Sequence, residues 1–84
     1  MSRQKKINGH NVIAEAVEKS LNEYFYHLDG ETPDDIYRMV IDNVEKTLFA
    51  SVMQRADGNQ TQAAEMLGIN RTTLRTKLKA HRLA

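Results

Sequence analysis

From Pro33 to Ala56 the chain carries neither glycine nor proline, and apolar residues wind around most of the helix this stretch predicts. One stripe is Ile36, Val40, Val44, Leu48 and Val52. A second, overlapping stripe is Tyr37, Ile41, Leu48, Phe49 and Met53. At ~1.5 Å per residue the helix is about 35 Å long. A helix apolar over most of its girth has to be covered on several sides. Its start is well marked. Thr32 suits an N-cap, Pro33 suits the first helical position, and Asp34 and Asp35 favour the positive first turn. Asp57-Gly58 ends it, with Gly58 expected at the left-handed C′ position.

The chain supplies little to cover such a helix. Its 84 residues make one small domain. A monomer of this size buries only about 60% of its unfolded surface. There is no cysteine, so disulfides cannot add stability. One other long helix is predicted, from Val12 onward. Ile13, Val17, Leu21, Phe25 and Leu28 form its stripe, with Ala16 and Tyr24 beside it. Asn11 can cap it, and Asp29-Gly30 stops it, with Gly30 as the left-handed residue. A second copy of the chain is the natural remaining cover, through a two-fold interface. The expected interface residues are Ile36, Val40, Val44, Leu48 and Val52. The alternative is a monomeric bundle in which the other helices wrap the long one.

The last third, from Gly58 to Leu78, reads as two short helices joined by a tight turn. Asn59 caps a helix over Gln60–Leu67, and Asn70 caps one over Arg71–Ala80. Ala63, Ala64 and Leu67 form the inward face of the first. Gly68 makes the turn and Ile69 plugs between the helices. Leu74 and Leu78, four apart, pack the second helix back, with Leu83 beyond it. This is the layout of a helix-turn-helix, whose second helix enters the DNA major groove. What remains outside is Arg71, Thr72, Arg75, Thr76 and Lys79, with Thr73 and Lys77 at the edges. Each is a donor, a cation or both.

Charge agrees with that reading. The net charge is only +1, but it is unevenly spread. Residues 1–6 carry +3 from Arg3, Lys5 and Lys6; residues 7–57 carry −6; residues 58–84 carry +4. An acidic body with a basic end presents one face that polyanions attract. Arg71, in the first turn, can reach base edges, and bidentate arginine to guanine is the commonest specific contact. Asn70 can cap, contact DNA, or do both. Thr73 and Arg75 are placed for phosphates beside the groove. Asn59 and Thr61 can offer donors where the first short helix crosses the phosphate strand. Lys77 and Lys79 complete the expected DNA-binding set.

Other classes fit poorly. There is no glycine-rich phosphate loop and no nucleophile elbow. His10, His27 and His81 lack metal-ligand spacing. The acidic run from Asp29 to Asp35 breaks the EF-hand pattern at Pro33. No enzyme, cofactor or metal is therefore expected. The 40% hydrophobic fraction is too high for a disordered chain, and apolar runs are too short to span a bilayer. No apolar stretch follows the basic first residues, so no signal peptide is expected and the protein reads as cytoplasmic. A second class stays open: a dimeric helical adaptor whose main partner is a protein, through the acidic body and the turn around Gln54–Gly58.

The run Gly58-Asn59-Gln60-Thr61, Met66-Leu67-Gly68-Ile69-Asn70-Arg71, Thr73-Leu74-Arg75 and Lys77-Leu78-Lys79 resembles the C-terminus of the Fis family of bacterial nucleoid proteins. Asn22-Glu23-Tyr24-Phe25, Leu28-Asp29-Gly30, Asp35-Ile36-Tyr37 and Val44-Glu45 agree upstream, so the likeness spans about residues 12–84. The resemblance implies an all-α fold: four helices per chain in an intertwined homodimer with a C-terminal helix-turn-helix. Residues 1–11 would be a flexible arm, 12–57 the dimerisation core and 58–84 the DNA-binding region. Family recognition helices lie closer together than one DNA turn, which implies bending on binding. The matching contact positions are Asn59, Thr61, Asn70, Arg71, Thr73 and Arg75. The implied roles are nucleoid organisation, transcription regulation and site-specific recombination, with RNA polymerase or a recombinase as protein partners. Two departures stand out. Enteric members carry extra bases where this chain has Thr76 and Ala80. Their longer arm bears a β-hairpin that touches the DNA invertase, whereas residues 1–11 here are short and polar. Invertase stimulation is not implied for this chain.

Overall fold

The computed structural model describes the backbone of residues 4–84, and side chains from residue 11 onward. Arg3, of the basic N-terminal trio, lies outside the described residues, as do the side chains of Lys5 and Lys6. Four α-helices follow one another: α1 (Gln4–Leu28), α2 (Ile36–Arg55), α3 (Gln60–Leu67) and α4 (Arg71–Ala80). Among the described residues there is no strand. The chain divides into two compact units, one up to Ile36 and one from Tyr37 to Ala84.

In the first unit, α1 begins at Gln4 rather than at Val12. Residues 4–11 of the expected arm are thus helical, and Asn11 sits inside the helix instead of capping it. Gln and Lys are good helix formers, and one interior glycine costs only about 1 kcal/mol, so Gly9 does not interrupt it. Val17, Leu21, Tyr24 and Leu28 are half-buried, whereas Val12, Ile13 and Phe25 are exposed. The helix ends at Leu28, and both Asp29 (φ 55) and Gly30 (φ 88) are left-handed, where the sequence singles out Gly30 alone.

The start of α2 differs from the sequence reading. Thr32 and Pro33 lie outside the helix, which opens at Ile36. A contact between residues ten apart explains this. The Tyr24 hydroxyl accepts a hydrogen bond from the Asp34 N–H at 3.2 Å and donates to the Asp34 carbonyl at 3.3 Å. Both backbone groups of Asp34 are thereby engaged away from a helical ladder. Asp35 then adopts a left-handed φ of 61, which breaks the ladder outright. Aspartate is among the residues that tolerate that region.

In the second unit, each helix end is closed by its own backbone. At the end of α2 the Gly58 N–H reaches back to the Met53 carbonyl at 3.0 Å, and Asp57 N–H to Gln54 at 3.1 Å. This is a Schellman motif, and Asp57 (φ 54), not Gly58, takes its C′ place. Gly58, also left-handed at φ 79, redirects the chain into α3. The pattern recurs after α3, where Ile69 N–H bonds to Ala64 at 3.1 Å, and after α4, where Leu83 N–H bonds to Leu78 at 2.7 Å. A Cβ on Gly68 would meet nothing within 4 Å, so its φ of 74, not crowding, calls for glycine.

The core of this unit is small. Phe49 from α2, Ala56 from the turn just after it, Ala63 and Ala64 from α3, and Leu74 and Leu78 from α4 are buried. Val52, Met53, Leu67, Ile69 and Leu83 pack around them. Leu74 and Leu78 are fully buried. Removing a buried leucine loses transfer energy and leaves a cavity. Leu74→Ala is therefore expected to destabilise the protein by about 2–5 kcal/mol in urea unfolding. A loss well under that range would show that the α3–α4 core can collapse around the gap.

Candidate nucleic-acid interface

The interface is built from two capped helix starts. Asn59 precedes α3 with an extended backbone, and its side-chain oxygen accepts from the Gln62 N–H at 3.0 Å. Asn70 precedes α4 in the same way, and its oxygen accepts from Thr72 N–H at 2.7 Å and Thr73 N–H at 3.2 Å. Capping occupies the amide oxygens. The amide nitrogens carry the donors, two on each side chain. Capping and DNA contact are therefore compatible at both positions.

The two starts meet through one side chain. The Arg71 guanidinium, in the first turn of α4, donates to the Thr61 hydroxyl of α3 at 3.3 Å. Asn59, Thr61, Asn70 and Arg71 are all exposed. So are Thr72, Thr73, Arg75, Thr76 and Lys79 along α4. Leu74 and Leu78 occupy the opposite face, buried against α3 and α2. The Thr76 hydroxyl donates to the Thr72 carbonyl of its own helix at 3.1 Å.

Lys77 is placed differently. Its ammonium lies 3.0 Å from Glu45 Oε2, on α2. Glu45 Oε1 is 2.9 Å from His81 Nε2, and the His81 ring tilts against Phe49 with centroids 6.2 Å apart. The sequence gives His81 no metal-ligand spacing and marks Glu45 only as part of the Val44-Glu45 match, with no role for either. The four-residue spacing of Lys77 and His81 was visible. Their shared partner more than thirty residues upstream was not, because no local pattern announces it.

The expected dimer residues also separate by exposure. Val44 and Leu48 are 43% and 45% exposed, and nearby Tyr37 is 78% exposed. Ile36 and Val40 are half-buried. Val52 packs partly against the chain's own helix-turn-helix core. Among the described residues, no group of three or more His, Cys, Asp or Glu is gathered as a metal site, and no helix is long and apolar enough to cross a membrane.

The family model described as "Bacterial regulatory protein, Fis family" matches residues 40–81. A protein of Pseudomonas aeruginosa described as Fis-like and DNA-binding is 49% identical over 71 residues, covering 84% of this chain and 68% of that protein. One from Ralstonia nicotianae, described in the same words, is 47% identical over 73 residues, covering 87% of this chain and 95% of its own. The DNA-binding protein Fis of Actinobacillus succinogenes is 49% identical over 69 residues, covering 82% and 70%.

The matched segment includes Glu45, whose ionisation has a measurable consequence. Its hydrogen bond to His81, then that to Lys77, hold its carboxyl below the usual carboxylate range, against a smaller upward push from burial. A folded-state pKa below the unfolded one gives stability that is full at neutral pH and lost as pH falls through the depressed value. Unfolded glutamate titrates near about 4.3, so the loss falls from there downward. Glu45→Gln is expected to flatten the acid limb of the stability–pH curve, followed by urea midpoints from pH 7 to pH 3. An unchanged acid limb would show that the carboxylate is not held in solution.

Proposed function

The chain belongs to the Fis family of bacterial regulatory proteins and binds DNA through its helix-turn-helix, and we propose that it does so as a homodimer that bends the duplex. It is a regulator rather than an enzyme. In the proposed complex α4 lies in the major groove. Arg71 reads a base and Asn70 supports it. Asn59, Thr61, Thr73 and Arg75 hold phosphates, with Lys79 as a further cation. The observation that carries this assignment is the 3.3 Å bond between Arg71 and Thr61. It gathers the starts of both helices into one exposed surface, so a groove contact and a phosphate contact are prepared together. Positioning before binding lowers the ordering cost of association.

Two features support the homodimer. Tyr37, Val44 and Leu48 leave an apolar strip of α2 exposed, about a third of a turn from the face that packs against α3 and α4. The buried core of the second unit is also small for a free-standing domain. Bending rests on the family resemblance, in which paired recognition helices stand closer than one turn of DNA. Deformable A/T-rich central sequence would then be preferred without being touched. Nucleoid organisation and transcription regulation follow as the cellular roles of such binding.

Fluorescence anisotropy on an A/T-centred duplex of two to three helical turns tests this directly. Affinity is expected to fall by orders of magnitude between 50 mM and 200 mM salt, as counterion release requires. Indifference to salt would favour the adaptor reading. Arg71→Ala should cost about 1–3 kcal/mol and relax sequence preference. Equal loss on every sequence would make Arg71 a backbone contact instead. Leu48→Asp is expected to shift the mass in light scattering from two chains to one and to abolish tight binding. A single-chain mass for the wild type would overturn the dimer.

A further inference from the structure

Both oxygens of the Glu45 carboxylate are engaged, by Lys77 on α4 and by His81 at the C-cap of that helix. Each oxygen has a different partner: Oε1 meets His81 at 2.9 Å and Oε2 meets Lys77 at 3.0 Å. Lys77 and His81 are four residues apart, so they stand on one face of α4, one turn from each other. Glu45 therefore holds the last turn of α4 and its C-cap from α2. The three side chains differ in exposure. His81 is nearly covered at 10%, Glu45 is at 23%, and Lys77 is at 41%.

Helical phase sets Lys77 apart from the other cations of α4. At about 100° per residue, Thr76 lies opposite the midpoint of Leu74 and Leu78. By the same arithmetic Lys79 lies about 120° from that midpoint, while Lys77 and Arg75 lie about 80° away on opposite flanks. The Lys77 flank is the one turned to Glu45. An ammonium that left this carboxylate for a phosphate would exchange one anion for another. It would also leave Glu45 charged and less well partnered, beside a polyanion. The gain would be the phosphate contact less the ion pair given up, which at this exposure is worth little.

We propose that Glu45 keeps Lys77 off the DNA: the carboxylate holds Lys77 and His81 against α2, so Lys77 positions the recognition helix and contributes no phosphate contact. This rests on the reading in which α4 enters the groove. It removes Lys77 from the DNA-binding set that the sequence alone suggested. It also makes Glu45 the residue that sets how many cations of α4 the DNA can use.

The test is a set of salt titrations on one duplex with wild type, Lys77→Gln, Glu45→Gln and the double variant. Each phosphate contact contributes about 0.9 to the slope of log affinity against log salt. Lys77→Gln alone should leave the slope unchanged while lowering the melting temperature, as a positioning role requires. Glu45→Gln should free Lys77 and steepen the slope by about 0.9 per bound chain. Adding Lys77→Gln to it should return the slope to the wild-type value. Lys79→Gln serves as the positive control, with a shallower slope. If Lys77→Gln alone makes the slope shallower by one contact per chain, Lys77 holds a phosphate and the proposal is overturned. A wild-type slope in Glu45→Gln overturns it equally. Should Glu45→Gln fail to fold, the Lys77→Gln slope decides by itself. Absence of salt-dependent binding by the wild type would instead remove the groove reading beneath the proposal.

Discussion

A recognition helix must leave most of its surface to its ligand, so it can be held only by the narrow face that remains. α4 is ten residues long, and just two of its side chains, Leu74 and Leu78, are fully buried. They find room because α3 presents Ala63 and Ala64, whose small side chains let the helices approach closely. Two leucines alone would leave such a short helix free to rock. Backbone closure at each end compensates. Asn70 ties down two N–H groups at the start, and the Leu83 N–H returns to Leu78 at the finish. Glu45 adds a lateral hold near the second end. Caps and one carboxylate thus add to what the two leucines hold.

That arrangement makes α2 the element on which the DNA surface depends. Phe49, Val52, Met53 and Ala56 face the helix-turn-helix, and Glu45 extends the same side toward α4. Tyr37, Val44 and Leu48 are turned elsewhere and remain exposed. One rigid helix thus carries both the support of the recognition helix and the strip assigned to a second copy. In the proposed dimer, the separation of the two recognition helices is then fixed by how two α2 helices pair. No hinge needs to be invoked, since α2 contains neither glycine nor proline.

The second unit was largely legible in the sequence because its signals are local. Asn59, Gly68 and Asn70 each occupy the capping role that their neighbours in sequence predict, and α3 and α4 begin and end where expected. The Ala63, Ala64, Leu74 and Leu78 core follows from spacing alone. Errors arose where a distant residue overrode a local rule. Thr32-Pro33-Asp34-Asp35 has a strong helix-start pattern, yet Tyr24 captures the Asp34 backbone and α2 waits until Ile36. Asp57 takes the C′ place one residue before Gly58, because glycine is the usual but not the required left-handed residue. The site showed the same division. Asn59, Thr61, Asn70 and Arg71 could be picked by position in a helix-turn-helix. Glu45 could not, since its partners lie 32 and 36 residues away.

The distribution of charge bears on how a bent complex could be afforded. Smoothly bending a site of 20–30 base pairs by 40–90° costs of order 1–6 kcal/mol. Thr76 and Ala80 carry no charge and Lys77 is engaged by Glu45, so α4 offers Arg71, Arg75 and Lys79 as its cations. A single chain with so few would struggle to offset the bend. In a dimer every contact counts twice against one deformation, so pairing through α2 and bending become energetically one event. The neutral donors of Asn59, Thr61, Asn70 and Thr73 matter in that balance. In the proposed complex they would release no counterions, so their share of the binding energy would persist as salt rises. They also sit at capped helix starts, the most firmly fixed positions of the surface. In the proposed complex, few cations and well-fixed neutral donors would let the shape of the duplex weigh beside its charge.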